Sequence, residues 1–224
     1  ELAPIARFSG HPLFERVSIF HALNQKAIAR MHAKSVNRTY EDMNLIVAHM
    51  GGGISVGVHE KGKVIDVNQA LDGDGPISPE RSGTLPTGSL LKMAFSGEYT
   101  YEEMKSMVVG KGGLFADTGH NDAYEVEQAA IAGDEKSKSI MEAMAYQTAK
   151  EIGAFSTVLK GNVDAILITG GLANSKWFCN QIIERVYKIA PVYVYPGEDE
   201  MRALAENAEM VLTGEIEARE YPYT

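Results

Sequence analysis

The chain has 224 residues, 45% of them hydrophobic, enough for the packed core of one large domain or about one and a half ordinary ones. Its net charge of −9 argues against nucleic-acid binding, because a phosphate backbone is met by clustered Lys and Arg that are not seen here, and an anionic ligand would need a locally positive pocket. With no apolar run of about 18 residues and no basic-then-apolar leader, membrane insertion and secretion are not indicated and a cytoplasmic protein is expected.

The chain opens on Glu1 rather than Met, and residues 2–10 read as the middle of something, so a cleaved or truncated product is expected. Residues 18–35 carry Ile19, Leu23, Ile28 and Met31 near helical spacing, which predicts a helix ending at Asn37. Three β-rich runs follow at 45–49 (LIVAH), 54–59 (ISVGVH) and 63–68 (KVIDVN), separated by Gly51-Gly52-Gly53 and by a turn at Lys61-Gly62; they predict an antiparallel meander. Residues 72–86 are rich in glycine and proline with almost no apolar periodicity, a long loop of the kind that often carries function. Thr87 is the candidate cap of a helix through Ala94, and Thr100 with Glu103 forms a capping-box pattern for another through Val109.

Asn121 or Asp122 can cap a helix to Ala132, with Gly133 as its stop. Residues 134–160 set Ile140, Met144, Ile152, Phe155 and Leu159 on one face before Gly161, a long buried helix with a glycine cap. The continuous apolar run 164–169 (DAILIT) predicts a buried parallel strand, followed by a helix near 175–188, a strand at 192–195 and a last helix near 199–213. The order βββα…βαβα departs from pure alternation and predicts a mixed sheet with one antiparallel strand. The lone Cys179 sits in an apolar helical stretch and reads as core packing, leaving no internal disulfide or multi-cysteine metal site.

Four places are candidates for chemistry. His49-Met50-Gly51-Gly52-Gly53-Ile54-Ser55 lies on the first hairpin: three glycines let backbone N–H groups turn inward to hold phosphate oxygens, and His49 is placed to hydrogen-bond a phosphoryl group, although an ordinary glycine hairpin has the same pattern. Pro79-Glu80-Arg81-Ser82-Gly83 puts an arginine on a scaffolded loop, from which its planar fork can address a phosphate or carboxylate. Thr169-Gly170-Gly171-Leu172 opens a strand end into a helix, where open α/β sheets hold nucleotides. Glu198-Asp199-Glu200 is either a Mg²⁺ contact or a set of dipole-matched helix caps. Residues 57–64 (GVHEKGKV) imitate a P-loop but place Val64 where a metal-binding hydroxyl is required, inside a hairpin, and are rejected.

Taken together and in this order, HMGGGIS (49–55), PERSG (79–83), TGGL (169–172) and YPGEDEM (195–201) resemble the butyrate kinases, within the acetate and sugar kinase, Hsp70 and actin superfamily; FHALNQK (20–26) and MAYQ (144–147) strengthen the match, which runs over essentially the whole chain. The resemblance implies a ribonuclease-H-like βββαβαβα domain, a mixed five-stranded sheet with helices on both faces. It assigns residues 1–37 to an interdomain segment and helix, residues 38–224 to the C-terminal nucleotide-binding domain, and an N-terminal domain that is absent from this chain. It makes His49 and Arg81 contacts of the phosphoryl group in flight, Gly51, Gly52 and Gly53 the phosphate loop, Gly170 and Gly171 neighbours of the ATP phosphates and adenosine, Asp122 a ribose contact and Glu200 a Mg²⁺ contact.

Two positions depart from the pattern: Gln25 replaces a second histidine of the acetate kinases, pointing to the butyrate branch, and Tyr124 replaces an arginine near the adenine. The implied reaction joins ATP and butyrate to give ADP and butyryl phosphate, reversibly. The carboxylate, with a pKa of about 4, is already ionised, so charge neutralisation and in-line alignment matter more than a general base. The alternatives are a kinase for acetate, propionate or branched acids, or a catalytically incomplete nucleotide-binding fragment. The isolated chain is expected to turn over little, and to associate with itself through apolar surface that the absent domain would cover.

Overall fold

The computed structural model describes residues 2–197 and 200–218, apart from the side chains of 200–203 and 206. Five strands, β1 (Asn44–Met50), β2 (Ile54–Glu60), β3 (Lys63–Val67), β4 (Ala165–Gly170) and β5 (Val192–Pro196), form one sheet in the order β3-β2-β1-β4-β5. β2 pairs antiparallel with β1 and β3, whereas β4 pairs parallel with β1 and β5, so β2 alone runs against the rest, as the sequence predicts. Lys61 and Gly62 turn the β2–β3 hairpin with positive φ at both residues, which leaves the false P-loop as a tight hairpin.

β1 is apolar on consecutive residues because both its faces are covered. Ile46, Ala48 and Met50 join the larger core beneath α6 (Glu135–Ser156) and α7 (Lys176–Val186), together with Met141, Met144, Ile152 and Phe178. Leu45 and Val47 point the other way, against Ala29 and Ala33 of α1 (Ala22–Ser35). Each large side chain buried here contributes about 1.5–3 kcal/mol, so this double cover holds the centre of the sheet rigid up to its carboxyl edge. Cys179 belongs to the larger core, as expected.

Four shorter helices, α2 (Thr87–Ala94), α3 (Tyr101–Val108), α4 (Gly113–Thr118) and α5 (Ala123–Ile131), precede α6, and α8 (Glu200–Leu212) packs beside α1. The capping box of Thr100 and Glu103 forms as predicted, and Asp122 caps α5 by accepting from the Tyr124 N–H. Pro86, not Thr87, occupies the N-cap of α2; α1 begins only at Ala22; and α6 ends at Ser156, its last predicted turn replaced by tight turns leading to Gly161. No helix among the described residues is long and apolar enough to cross a membrane.

The segment before α1 is tied to the β3 edge: Ala3 N donates to the Ile65 carbonyl, and Arg16 bonds Asp66 at 3.1 Å. Behind this edge, burial and the charges of Asp74 and Asp66 push the Glu151 carboxyl up to about 7, against the opposing pull of Arg16 and Lys150. The folded state thus keeps a proton that the unfolded chain releases near 4.5, and stability contributed by that proton is lost as pH rises toward 7. Glu151→Gln is expected to match the parent near pH 5 and to exceed it by roughly 2 kcal/mol at about pH 8. Urea midpoints at the two pH values check this; an equal offset at both would disprove it.

Candidate active site

The site forms where the parallel strands end. In β1 the odd residues face α1, so His49 points toward the start of that helix, where His21 is the N-cap residue. The two imidazoles stack with centroids 4.0 Å apart. His49 is 1% exposed, and burial drops its pKa to about 4, so it is neutral at physiological pH. His21 is only partly buried and lies over it.

Behind this pair runs a buried polar relay along the α1-facing side of β2. Gln25, one turn beyond His21, lies across Gly57, where a Cβ would collide with the amide. The Ser55 carbonyl accepts from Gln25 Nε2 at 3.1 Å, which orients the amide: its nitrogen also donates to Ser55 Oγ (2.8 Å), and its oxygen accepts from His59 Nε2 (3.0 Å). His59 Nδ1 must then accept from Tyr40 (2.7 Å), and Ser55 Oγ passes its own proton to His21 Nδ1 (2.8 Å). Neutral His21 consequently carries its hydrogen on Nε2. Gln25 is fully buried and serves from behind His21.

The glycine turn and the long loop are one unit. Gly51 N donates to Gly53 O, closing the turn, while Ser78 Oγ (2.8 Å) and Glu80 N (3.2 Å) both donate to the Gly52 carbonyl. The Arg81 guanidinium lies on Gly53, inside the space that a Cβ there would take, and its Nη1 donates to the Ala70 carbonyl. Burial lowers the Arg81 pKa, the neighbouring Glu80 charge opposes this, and the group stays a cation. Its Nε is buried with no hydrogen-bond partner among the described residues, a cost of about 1–3 kcal/mol that an anion could relieve.

On the other side of the turn a cavity of about 620 Å³ adjoins the glycines, separate from one of about 690 Å³ between α1 and α8. Gly51, Gly52, Asp122, Glu127, Gly171 and Trp177 are among the residues lining the former. Gly170 (φ 95°) packs against the Met50 backbone and joins Gly197 through paired backbone bonds, holding β4 and β5 level with β1. Ser175 caps α7 by accepting from Phe178 N, and its hydroxyl proton goes to the buried Glu127 at 2.7 Å. Burial, and secondarily the Glu127 charge, push the Cys179 thiol up to about 11, outside the reactive range.

The structure therefore gathers His49, Gly51, Gly52, Gly53 and Arg81 at the end of β1, with Gly170 beside them, and lines one adjacent cavity with Gly51, Gly52, Asp122 and Gly171. Asp122 spends one side-chain oxygen on its helix cap. Glu198 and Asp199 lie outside the described residues, as does the Glu200 side chain; among the described residues no group of three or more His, Cys, Asp or Glu is placed to hold a metal. Sequence reasoning missed the position of His21, which only the pairing of a helix start with an odd residue of β1 reveals, and it missed Glu127, whose signal was a capping Ser ahead of a helix many residues away.

Residues 15–211 match the family model described as the acetokinase family. The chain is 55% identical over 221 residues to butyrate kinase 2 of Clostridium acetobutylicum, covering 99% of this chain and 62% of that protein. The crystal structure of Porphyromonas gingivalis acetate kinase superposes with a TM-score of 0.84 at 19% identity, over 94% of this chain and 61% of that one. A propionate kinase from Francisella tularensis subsp. tularensis SCHU S4 gives 0.80 at 22%, over 90% and 59%. These structural likenesses show the fold alone, the one shared by the acetate kinase and propionate kinase structures. The chain spans less than two thirds of the length of each of these relatives.

Proposed function

The chain belongs to the acetokinase family, and from that membership we propose that it is the nucleotide-binding part of a short-chain acyl kinase, which transfers the γ-phosphoryl group of ATP to butyrate and runs reversibly. The observation that supports this reading is the docking of the Arg81 loop on the glycine turn, which lays a cation on Gly53 at the end of the strand that carries His49, while Gly51 and Gly52 of the same turn line the cavity. The orphaned Arg81 Nε and the glycine-lined wall suit an anionic nucleotide.

In this reading the turn of Gly51, Gly52 and Gly53 holds phosphate oxygens through the Gly52 and Gly53 N–H groups, the Gly51 N–H closing the turn, and Gly170, Gly171 and Asp122 border the nucleoside. Arg81 neutralises charge that spreads over the equatorial oxygens in the transition state. His49 is the histidine proposed for the moving phosphoryl group; because it is 1% exposed and His21 stacks over it, the two rings act there as a pair, His21 on the outer side. Mg²⁺ bound with the nucleotide would offset its phosphate charge, with Glu200 as the proposed protein contact. Butyrate arrives ionised, so no residue is needed as a base. Residues 38–224 form the nucleotide-binding domain and residues 1–37 its link to a partner lobe; self-association is favoured by exposed Ile5, Phe8, Leu13 and Phe95, and the compartment is the cytoplasm.

The test is ADP release with butyrate, acetate, propionate or glucose as acceptor, measured for the chain alone and after supplying the N-terminal portion of the Clostridium relative. Little turnover alone and butyrate-dependent turnover in the complemented protein are expected. Transfer to glucose but not to carboxylates would overturn the proposal.

A further inference from the structure

The cavity beside the glycine turn contains a carboxylate that the phosphoryl chemistry does not use. Glu127 is 8% exposed, lies in the cavity wall and receives one described hydrogen bond, from Ser175. The direction of that bond is fixed, because Ser175 Oγ already accepts from Phe178 N–H and has only its own proton to give. One Glu127 oxygen is therefore occupied, and the other has no partner among the described residues and stands as an acceptor in the cavity wall. A carboxylate oxygen that faces a ligand and can only accept discriminates between ligands that bring a donor and those that bring a lone pair.

Resting on the reading of this cavity as the nucleoside pocket, we infer that Glu127 selects the base by accepting a hydrogen bond from the exocyclic 6-amino group of adenine. With a single oxygen available, the site matches an edge with one amino donor. At the register that meets position 6 it opposes a 6-oxo purine, whose carbonyl would face the carboxylate; such a base reaches the same oxygen only by shifting in the pocket to offer its N1–H. Ser175 acts here as a positioning residue: it holds Glu127 in place and caps α7, so base recognition is tied to the helix that carries Trp177.

Trp177 is the sole tryptophan of the chain and lines the same cavity, so its fluorescence reports nucleotide binding whether or not the chain turns over. Titrations with ADP, IDP and GDP are expected to show ADP bound at least about 10-fold more tightly than IDP. E127Q keeps an oxygen for Ser175 but turns an amide N–H₂ toward the base, and should bring the ADP to IDP ratio to near unity or invert it while the melting temperature holds. Should E127Q fail to fold, E127D keeps the charge but withdraws it by a methylene, and should also erase the preference. A folded variant that retains the parent's ADP to IDP ratio would overturn the inference while leaving the cavity as the nucleotide site. Absence of any Trp177 response to all three nucleotides would overturn both, by removing the nucleotide from this cavity.

Discussion

Arg81→Ala, in a protein complemented for turnover, is expected to lower kcat by on the order of 10³ while nucleotide affinity changes little. The guanidinium is held over Gly53 by the Ala70 carbonyl and still has a buried, unpartnered Nε. Its contact with phosphoryl oxygens should strengthen as charge spreads over them, so its effect falls on the transition state more than on bound ATP. Arg81→Lys should recover only part of the rate, because an ammonium keeps the charge and loses the planar fork. An arginine that merely ties down the loop would instead cost thermal stability together with activity. Measuring kcat, nucleotide affinity by Trp177 fluorescence and melting temperature on the same variant decides the matter; a folded variant with near-normal kcat would remove Arg81 from the mechanism.

A second large effect is expected from two glycines that fail in opposite ways. At Gly53 an added methyl meets the far end of the Arg81 side chain, which can swing aside. Gly53→Ala should thus leave the melting temperature within a few degrees of the parent and lower kcat nearly as much as Arg81→Ala. At Gly113 the methyl would overlap the backbone carbonyls of Ser78 and Arg81, and φ there is 62°. Neither carbonyl can move without breaking the loop's docking, and a left-handed conformation costs an alanine about 1–2 kcal/mol before any overlap is counted. Gly113→Ala should lose roughly 3–5 kcal/mol by urea denaturation, with the Arg81 loop displaced. If both variants kept the parent's stability and rate, the packing of the loop described here would be wrong.

Much of this architecture is legible in the sequence because the relevant signals are local. The apolar run at 165–168 is buried on both faces and could only be an inner strand, and the capping box at Thr100 closes within four residues. The glycine turn and Arg81 were recognisable as separate motifs, and their resemblance to one family suggested that they meet. What was not legible depends on register and on distant partners. The helix α4 begins at a glycine and has too few turns to show periodicity. The function of Gln25 needs His59 and Ser55, 34 and 30 residues away, and that of Glu127 needs Ser175, 48 residues away. No pattern in the neighbouring sequence announces such pairs; they exist only once the strands have chosen their alignment.

The relay from Tyr40 to His21 also has a sense of direction. Every proton in it points the same way, from phenol to imidazole to amide to hydroxyl to imidazole, and such a line polarises itself as each donor strengthens the next. That sense is set by residue 25, whose two ends differ in having protons or lacking them. Glutamate has the same length and shape but lone pairs at both ends, so the Ser55 hydroxyl would turn to it and His21 would have to keep its hydrogen on Nδ1, presenting a lone pair on the side where the proposed function sets the phosphoryl oxygens. The histidine's handedness toward an anion is thus decided in the core, by an amide that no ligand touches.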